Sequence, residues 1–340
     1  NFIKLFYYIS GFLKFDHEIF IINSYLGFFP EILLNFKLNK NIKINQPVSF
    51  NQKLTIDKKL RSLKFQYSKN DDEFSKILKD ILPRSLPAFY LEGYKSLSNF
   101  CLQTPWAKNP KLIFTSNNHL TDEVFKFWAA SKVEKNKVPL VFGQHGGSFF
   151  TSKYSVEREI EIKNSDKFLS WGNPKYSDNK TINFYNLKSI FRKQSYEPNG
   201  KINLVQGTPR AFQKSCISGQ LSFAQARNNV EFQKNFLRRL KNNYLNKVKV
   251  RLYSTQEHSH GYQEYEKSFW LDKKMKIELE NFNVPIVKSI AESRLLIHTA
   301  LESTLFLESM HSNVPSILLM DFDKKFIKRE NLSIFKLLKD

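Results

Sequence analysis

Short apolar runs alternate with longer, helix-like segments along most of this 340-residue chain. An apolar run of about four to eight residues, bounded by turn residues, indicates a buried strand. Strands that alternate with helices favour a parallel sheet covered by helices. The predicted strands are residues 18–22, 111–115, 139–142, 167–171, 202–205, 248–253, 284–287, 295–297 and 316–320.

The predicted helices lie between these runs. Residues 71–82 are expected to form a helix that Pro83 ends, and Thr121 is the predicted N-cap of the next helix. Two further helices are predicted over residues 225–245 and 301–312.

A linker is predicted between two such alternations, because Pro198-Asn199-Gly200 follows a charged stretch. The predicted fold class is therefore α/β, with two Rossmann-like domains that face each other across a cleft. The predicted domains are residues 1–190 and 198–340. The chain begins with Asn1, and a new helix starts shortly before Asp340, so we expect a fragment truncated at both ends.

The chain is strongly basic, with 53 Lys and Arg against 32 Asp and Glu and a formal net charge of +21. A basic protein attracts polyanions such as nucleic acid, anionic lipid or phosphorylated substrates. Cys101 and Cys216 lack a partner motif, so a disulfide framework or zinc ribbon is unsupported and a reducing cytoplasm is favoured. No apolar run reaches the length needed to span a bilayer.

One predicted strand runs directly into Gly143-Gln144-His145-Gly146-Gly147. Glycines in such a turn permit positive φ and a close approach of the backbone to a ligand. A histidine at the carboxyl end of a strand can accept a proton near neutral pH or donate to a phosphate. A tight turn with a surface histidine is an equally open interpretation.

A second strand leads from His298 towards small hydroxyl residues at a helix start. The hydroxyls of Ser303 and Thr304 and the free backbone N–H groups there suit a diphosphate, and Glu308 could bind the hydroxyls of a ribose. The alternative is a capping box formed by Thr299 and Glu302, in which the helix starts earlier and contains both hydroxyl residues.

Two arginines are candidates for phosphate binding, since the guanidinium fork matches phosphate oxygens. Arg210 follows a Gly-Thr-Pro turn, and Arg251 lies in a strand, where a partly exposed strand residue is the alternative. His258 and His260 could suggest a metal, but they lack acidic or cysteine partners and fit a loop better. Walker, dinucleotide-binding, nucleophile-elbow and zincin motifs are all absent from the sequence.

These residues resemble a family of transferases encoded in bacterial surface-carbohydrate biosynthesis clusters. Gly143 to Gly147, together with Ser170-Trp171-Gly172, is the most specific part of the match. The sequence departs from the family at Asn173, where a tryptophan is usual, whereas Phe149 supplies the expected aromatic residue. The other matching segments are residues 19–25, 87–93, 113–117, 125–129, 165–166, 250–253, 303–308 and 313–315.

More distantly, the second half is similar to the donor domain of GT-B glycosyltransferases. In that fold, a glutamate seven residues before a proline contacts the ribose of the nucleotide, and Glu308 and Pro315 have this spacing. The resemblance implies a GT-B-like enzyme, with an acceptor-side domain in residues 1–190 and a nucleotide-sugar-binding domain in residues 198–340.

The resemblance also implies the reaction: metal-independent transfer of a sugar from a nucleotide-activated donor to a surface polysaccharide or lipid-linked acceptor. The nucleotide sugar is a substrate, and no cofactor is expected. The expected location is the cytoplasm, with peripheral contact at the anionic inner membrane, where lipid-linked acceptors lie. The implied site consists of catalytic His145, donor-binding Arg210, Arg251, Ser303, Thr304 and Glu308, and Gly143, Gly146 and Gly147 for backbone approach.

Other functions stay open at this point. A nucleotide-sugar epimerase or a glycerophosphate-type transferase would use the same fold. A nucleic-acid-binding protein is suggested by charge alone, and no known basic and aromatic binding motif supports it, so no nucleic acid partner is expected.

Overall fold

The computed structural model contains two five-stranded sheets, with helices connecting most of the strands. The predicted α/β fold class with two Rossmann-like parallel sheets is confirmed. The residues described are 5, 6, 9, 18–147, 149–153, 155–172, 178–190, 195–207, 223–252, 267–271, 277–280, 284–300, 303–319 and 327–333.

The first sheet contains β1 (Ile19–Ile22), β2 (Leu112–Thr115), β3 (Leu140–Gly143), β4 (Lys167–Trp171) and β5 (Thr181–Phe184). Their order in the sheet is the order along the chain. The parallel register places Ile19 opposite Leu112 and Ile113 opposite Leu140. The helices of this region are α1 (Phe28–Asn39), α2 (Lys58–Arg61), α3 (Glu73–Ser85), α4 (Tyr94–Gln103), α5 (Asn118–Thr121), α6 (Glu123–Asn136) and α7 (Val156–Lys163).

The second sheet contains β6 (Lys201–Val205), β7 (Val248–Arg251), β8 (Glu278–Leu279), β9 (Ser293–His298) and β10 (Ser316–Leu318). Its order is β10-β9-β6-β7-β8, so the strand order reverses between β6 and β9. The helices are α8 (Phe223–Arg238), α9 (Asn242–Leu245), α10 (Ile286–Ala291) and α11 (Thr304–His311). The single helix predicted over residues 225–245 is thus two helices.

By its contacts the chain divides into two compact units, residues 1–143 and 144–340. Along the chain, the first sheet ends with β5 at Phe184 and the second sheet begins with β6 at Lys201. The domain limits expected from the sequence, 1–190 and 198–340, stay a prediction.

The core of the first unit is rich in aromatic side chains around β1. The ring of Phe20 lies 4.5 Å from that of Trp128 and 5.8 Å from that of Trp106. The two indole rings are 5.3 Å apart, and all three side chains are buried. Such aromatic pairs contribute about 0.5–1.5 kcal/mol each beyond the burial of their area. They join β1 to α6 and to the chain that precedes β2.

Three local predictions are wrong in their details. Helix α3 continues past Pro83, because a proline in the last turn removes only one hydrogen bond. The N-cap of α6 is Asp122 rather than Thr121, since the Asp122 carboxylate accepts from the amide of Phe125 at 2.9 Å. Residues 284–287 do not form a strand, because Pro285, with φ of −58°, precedes the first turn of α10.

None of the helices among the described residues is both long and apolar enough to cross a bilayer.

A buried ion cluster joins β7 to the residue that follows β8. Lys249 Nζ lies 2.6 Å from Glu280 Oε1, and the Arg251 guanidinium donates to the other carboxylate oxygen. The Ser289 hydroxyl lies 2.8 and 2.9 Å from the two oxygens. Burial opposes the charge of Glu280, but these hydrogen bonds outweigh it and leave the pKa of that carboxyl below its usual value. The buried carboxylate of Glu280 therefore connects β7 to α10 through hydrogen bonds to Lys249, Arg251 and Ser289.

We expect Glu280→Gln to lower the free energy of unfolding by about 3–5 kcal/mol, because it removes the buried counter-charge of Arg251 and leaves Lys249 with only the exposed Glu292 carboxylate, at 3.9 Å. The control is Glu278→Gln, which removes the exposed pair between Lys201 and Glu278 and should cost about 1 kcal/mol or less. Urea unfolding of both variants measures the difference. Equal losses would contradict a special role for the buried carboxylate.

Candidate functional site

The strand order of the second sheet reverses between β6 and β9. From β6 the chain continues to β7 and β8 on one side, whereas β9 is followed by β10 on the other. The carboxyl ends of β6 and β9 therefore form a topological switch point. Open α/β sheets bind ligands at such a switch point. This edge is the candidate site.

The two strand ends at this edge are tied together by Thr299. Its hydroxyl donates to the carbonyl of Val205 at 2.9 Å and accepts from the amide of Gly207 at 3.2 Å. A Cβ atom on Gly207 would lie 3.0 Å from the Cβ of Ala300, so glycine permits this close approach of the two loops. The residues after β6 and β9 are thus held close to one another.

Helix α11 starts at Thr304, and Ser303 is its N-cap. The Ser303 side chain makes no cap hydrogen bond, so its hydroxyl does not satisfy the first amides of α11. The capping-box alternative is wrong, because the Thr299 hydroxyl is used between β6 and β9 and the helix begins five residues later. Glu302 lies outside the described residues.

Glu308 lies in α11, one turn after Thr304, and only 5% of its surface is exposed. Its Oε1 atom is 2.9 Å from Nζ of Lys188, which belongs to the same compact unit. This lysine was not predicted as a site residue. Its sequence context gives no signal, since it is one of many lysines and lies 120 residues away from Glu308.

His298 is the last residue of β9 and is 1% exposed. Neither ring nitrogen has a hydrogen-bond partner within the described part of the chain, and the ring packs edge-on against Phe306 at 5.2 Å. Burial lowers the pKa of His298 to about 4. The imidazole is therefore neutral at physiological pH. Sequence reasoning included His298 in the motif but gave it no role.

His145 lies in the second compact unit, two residues after β3. Its Nδ1 atom is 3.2 Å from Oε1 of Glu161, and its Nε2 atom is 3.9 Å from Oε2 of Glu157. Both carboxylates come from α7, where positions four residues apart share one face. The side chain of His145 is 15% exposed, so the surface-histidine alternative does not describe it. A histidine held by a buried carboxylate is suited to proton transfer.

The glycines near His145 differ in whether the structure demands glycine at that position. A Cβ atom on Gly143 would lie 2.5 Å from the Ser116 hydroxyl, so packing alone demands glycine there. A Cβ atom on Gly146 would meet only Phe149, at 3.6 Å. Among the described glycines only Gly27 and Gly172 have positive φ, so the expected positive φ in the Gly143–Gly147 turn is not found. Close backbone approach to a ligand at Gly146 and Gly147 stays a prediction.

Arg251 is 9% exposed, which rules out the alternative of a partly exposed strand residue. Its guanidinium donates to Glu280 and to the carbonyl of Val284. Phosphate binding by Arg251 stays a prediction. Arg210, and the histidine pair His258 and His260, lie outside the described residues.

The profile of the LIC12162 family, described as a family of transferases, matches residues 3–340. No curated protein matches the chain.

Two solved structures share parts of the architecture. MurG from Acinetobacter baumannii is 9% identical, with a TM-score of 0.38, and the match covers 89% of this chain and 77% of that one. MnaA from S. aureus, solved with UDP, is 10% identical, with a TM-score of 0.49, over 93% of this chain and 81% of that one. Similarities this distant say nothing about the reaction.

His298 should make stability depend on pH. The unfolded chain binds a proton on this imidazole below about pH 6.5, whereas the folded chain binds it only below about pH 4. The free energy of unfolding should therefore fall as the pH drops through this window, by on the order of 3 kcal/mol from this residue.

The measurement is urea unfolding at several pH values across that window, for the wild type and for His298→Gln. The difference in pH dependence between the two proteins gives the contribution of His298 to the free energy of unfolding. The exposed His311, in the same helix–strand unit, supplies the matched control His311→Gln. The same pH dependence in wild type and His298→Gln would contradict a neutral buried imidazole.

Proposed function

Because this chain belongs to the LIC12162 family of transferases, we propose that it transfers a sugar from a nucleotide-activated donor to a surface glycan or lipid-linked acceptor. The observation that carries the proposal is the reversal of strand order between β6 and β9 in the second sheet, where Thr299 holds the ends of the two strands together. After β9 the chain reaches a helix start whose N-cap Ser303 makes no side-chain cap hydrogen bond, with a buried glutamate one turn further.

The donor diphosphate is proposed to bind at the start of α11. The amides there carry a partial positive charge, and the hydroxyls of Ser303 and Thr304 add two donors. Glu308 would accept from the ribose hydroxyls, with Lys188 holding its carboxylate in place and adding positive charge. Arg210 belongs to the proposed phosphate-binding set.

His145 is proposed as the general base. Glu161 contacts Nδ1, so we assign the acceptor hydroxyl to Nε2, which lies 3.9 Å from the Glu157 carboxylate. As Nε2 takes the hydroxyl proton, the acceptor oxygen forms a bond to the anomeric carbon. The bond from that carbon to the donor diphosphate breaks, and the electron pair leaves with the diphosphate. The helix amides and basic side chains would stabilise the charge on that leaving group.

The reaction is proposed to need no metal, because helix amides and basic side chains supply the positive charge. The proposed location is the cytoplasm, with peripheral contact at an anionic membrane that carries the lipid-linked acceptor. The net charge of +21 supports such contact.

The donor proposal predicts stabilisation by a nucleotide. A thermal-shift screen against UMP-, CMP-, UDP- and GDP-linked compounds, with EDTA present, should show a rise in Tm of about 5 °C for one base at saturating ligand. Glu308→Gln should abolish the shift, whereas Glu134→Gln, an exposed change on α6, should retain it. No shift with any nucleotide, alongside salt-sensitive binding of nucleic acid, would replace this proposal with a nucleic-acid-binding function.

The base assignment predicts a steep loss of transfer activity. His145→Ala should lower kcat by about 10²–10⁴-fold, and Glu161→Gln should lower it less and shift its pH profile, because the imidazole loses its carboxylate partner. Glu159→Gln, on the same helix with 59% of its side chain exposed, is the control and should keep normal turnover. Product analysis of a radiolabelled donor measures this; normal turnover in His145→Ala would show that the base is another group.

A further inference from the structure

The first compact unit contains a cavity of about 440 Å³ that the proposed site does not use. It lies beside the carboxyl ends of β1 and β2, and its volume is within the range of small-molecule sites. Its lining is formed by Asn23, residues 47–51, Phe89, residues 117–118 and residues 121–124.

A fixed set of hydrogen bonds builds the polar side of the cavity. The Asn118 side chain accepts from Asn23 Nδ2 and donates to Asp122 Oδ2 at 2.8 Å. Asp122 in turn caps α6, because its other oxygen accepts from the amide of Phe125. The segment that contributes residues 47–51 is anchored to β1 by Asn45, whose side chain donates to the carbonyl of Ile21 at 2.9 Å. The lining is thus organised without a ligand.

Unused carboxamide and hydroxyl groups remain on the cavity wall. Among the described hydrogen bonds, Asn117 takes part only through its backbone, donating to Thr115 Oγ1 and accepting from Leu120. Ser49 and Asn51 are exposed at the rim. A carboxamide both donates and accepts, which matches the dual character of a sugar hydroxyl.

The lining also contains two aromatic rings. The rings of Phe50 and Phe89 lie 5.4 Å apart, and both side chains are partly buried. A pyranose ring presents a face of C–H groups as well as its hydroxyls, so a lining that combines aromatic rings with carboxamides is complementary to it.

The charges of the lining exclude an anionic ligand. Among the described residues that line the cavity none is basic, although the chain as a whole carries a net charge of +21. Its titratable groups are Asp122 and Glu123. Glu123 accepts from the Tyr90 hydroxyl and pairs with Lys126. A phosphate or carboxylate group would therefore meet two acids and no basic side chain of the lining, since Lys126 is already paired with Glu123.

We propose that this cavity binds an uncharged saccharide unit of the acceptor, with Asn117, Asn51 and Ser49 bonding its hydroxyls and Phe50 and Phe89 covering its C–H face. The identification of this saccharide as part of the acceptor rests on the proposed function. The chemical selectivity, a neutral saccharide rather than a phosphorylated one, follows from the cavity itself.

The test is ligand-observed NMR and calorimetry with the whole chain, using maltose, cellobiose, lactose and chitobiose as neutral probes and glycerol 3-phosphate as the anionic one. At least one disaccharide should bind, and glycerol 3-phosphate should not. Asn117→Ala and Asn51→Ala should each weaken saccharide binding by about fivefold to tenfold, the loss of one hydrogen bond. Asn136→Ala, an exposed change at the end of α6, is the matched control.

The outcomes separate this inference from the proposed function, because nucleotide binding is measured independently by thermal shift. Failure of every disaccharide, binding of glycerol 3-phosphate in the cavity, or saccharide binding that both Asn→Ala variants leave unchanged would overturn the inference, even if a nucleotide binds. Saccharide binding lost in the variants supports the inference, even if no nucleotide binds and the transferase proposal fails.

Discussion

The second sheet depends on one topological constraint: two neighbouring parallel strands whose connections leave in opposite directions. Because β6 and β9 are hydrogen-bonded parallel neighbours, their carboxyl ends lie side by side. Thr299 holds these ends together through Val205 and Gly207. The first sheet, whose strand order is the chain order, has no such reversal.

The partners of the buried titratable side chains then determine whether these groups are charged in this unit. Glu280 stays ionised because two cations and a hydroxyl satisfy it, and it keeps β7 in place. His298 is buried without such partners among the described residues, and its imidazole is neutral as a result. Glu308, buried near a helix start, has Lys188 as its counter-charge. The same physical rule thus leaves Glu280 charged and His298 neutral in one compact unit.

The sequence predicts those features that depend on local pattern. Runs of consecutive apolar residues identify most strands, because a parallel strand is buried on both faces. The strand Thr181–Phe184 was missed, since its two apolar residues, Ile182 and Phe184, are exposed and do not form a consecutive apolar run. The position of Ser303 at a helix start and of Glu308 one turn into that helix was predicted from the sequence and is confirmed, whereas their part in donor binding stays a prediction. Lys188 was not, because a contact between residues far apart in sequence arises only from the tertiary fold.

Hydrogen–deuterium exchange with and without the stabilising nucleotide tests the location of the donor site most directly. Protection of amides depends on local opening, so a ligand at the start of α11 should slow exchange in peptides that contain Ser303 to Ser309. We expect protection in these α11 peptides and in the peptide that contains Gly207. Protection confined to the first sheet, with unchanged exchange in α11, would contradict it.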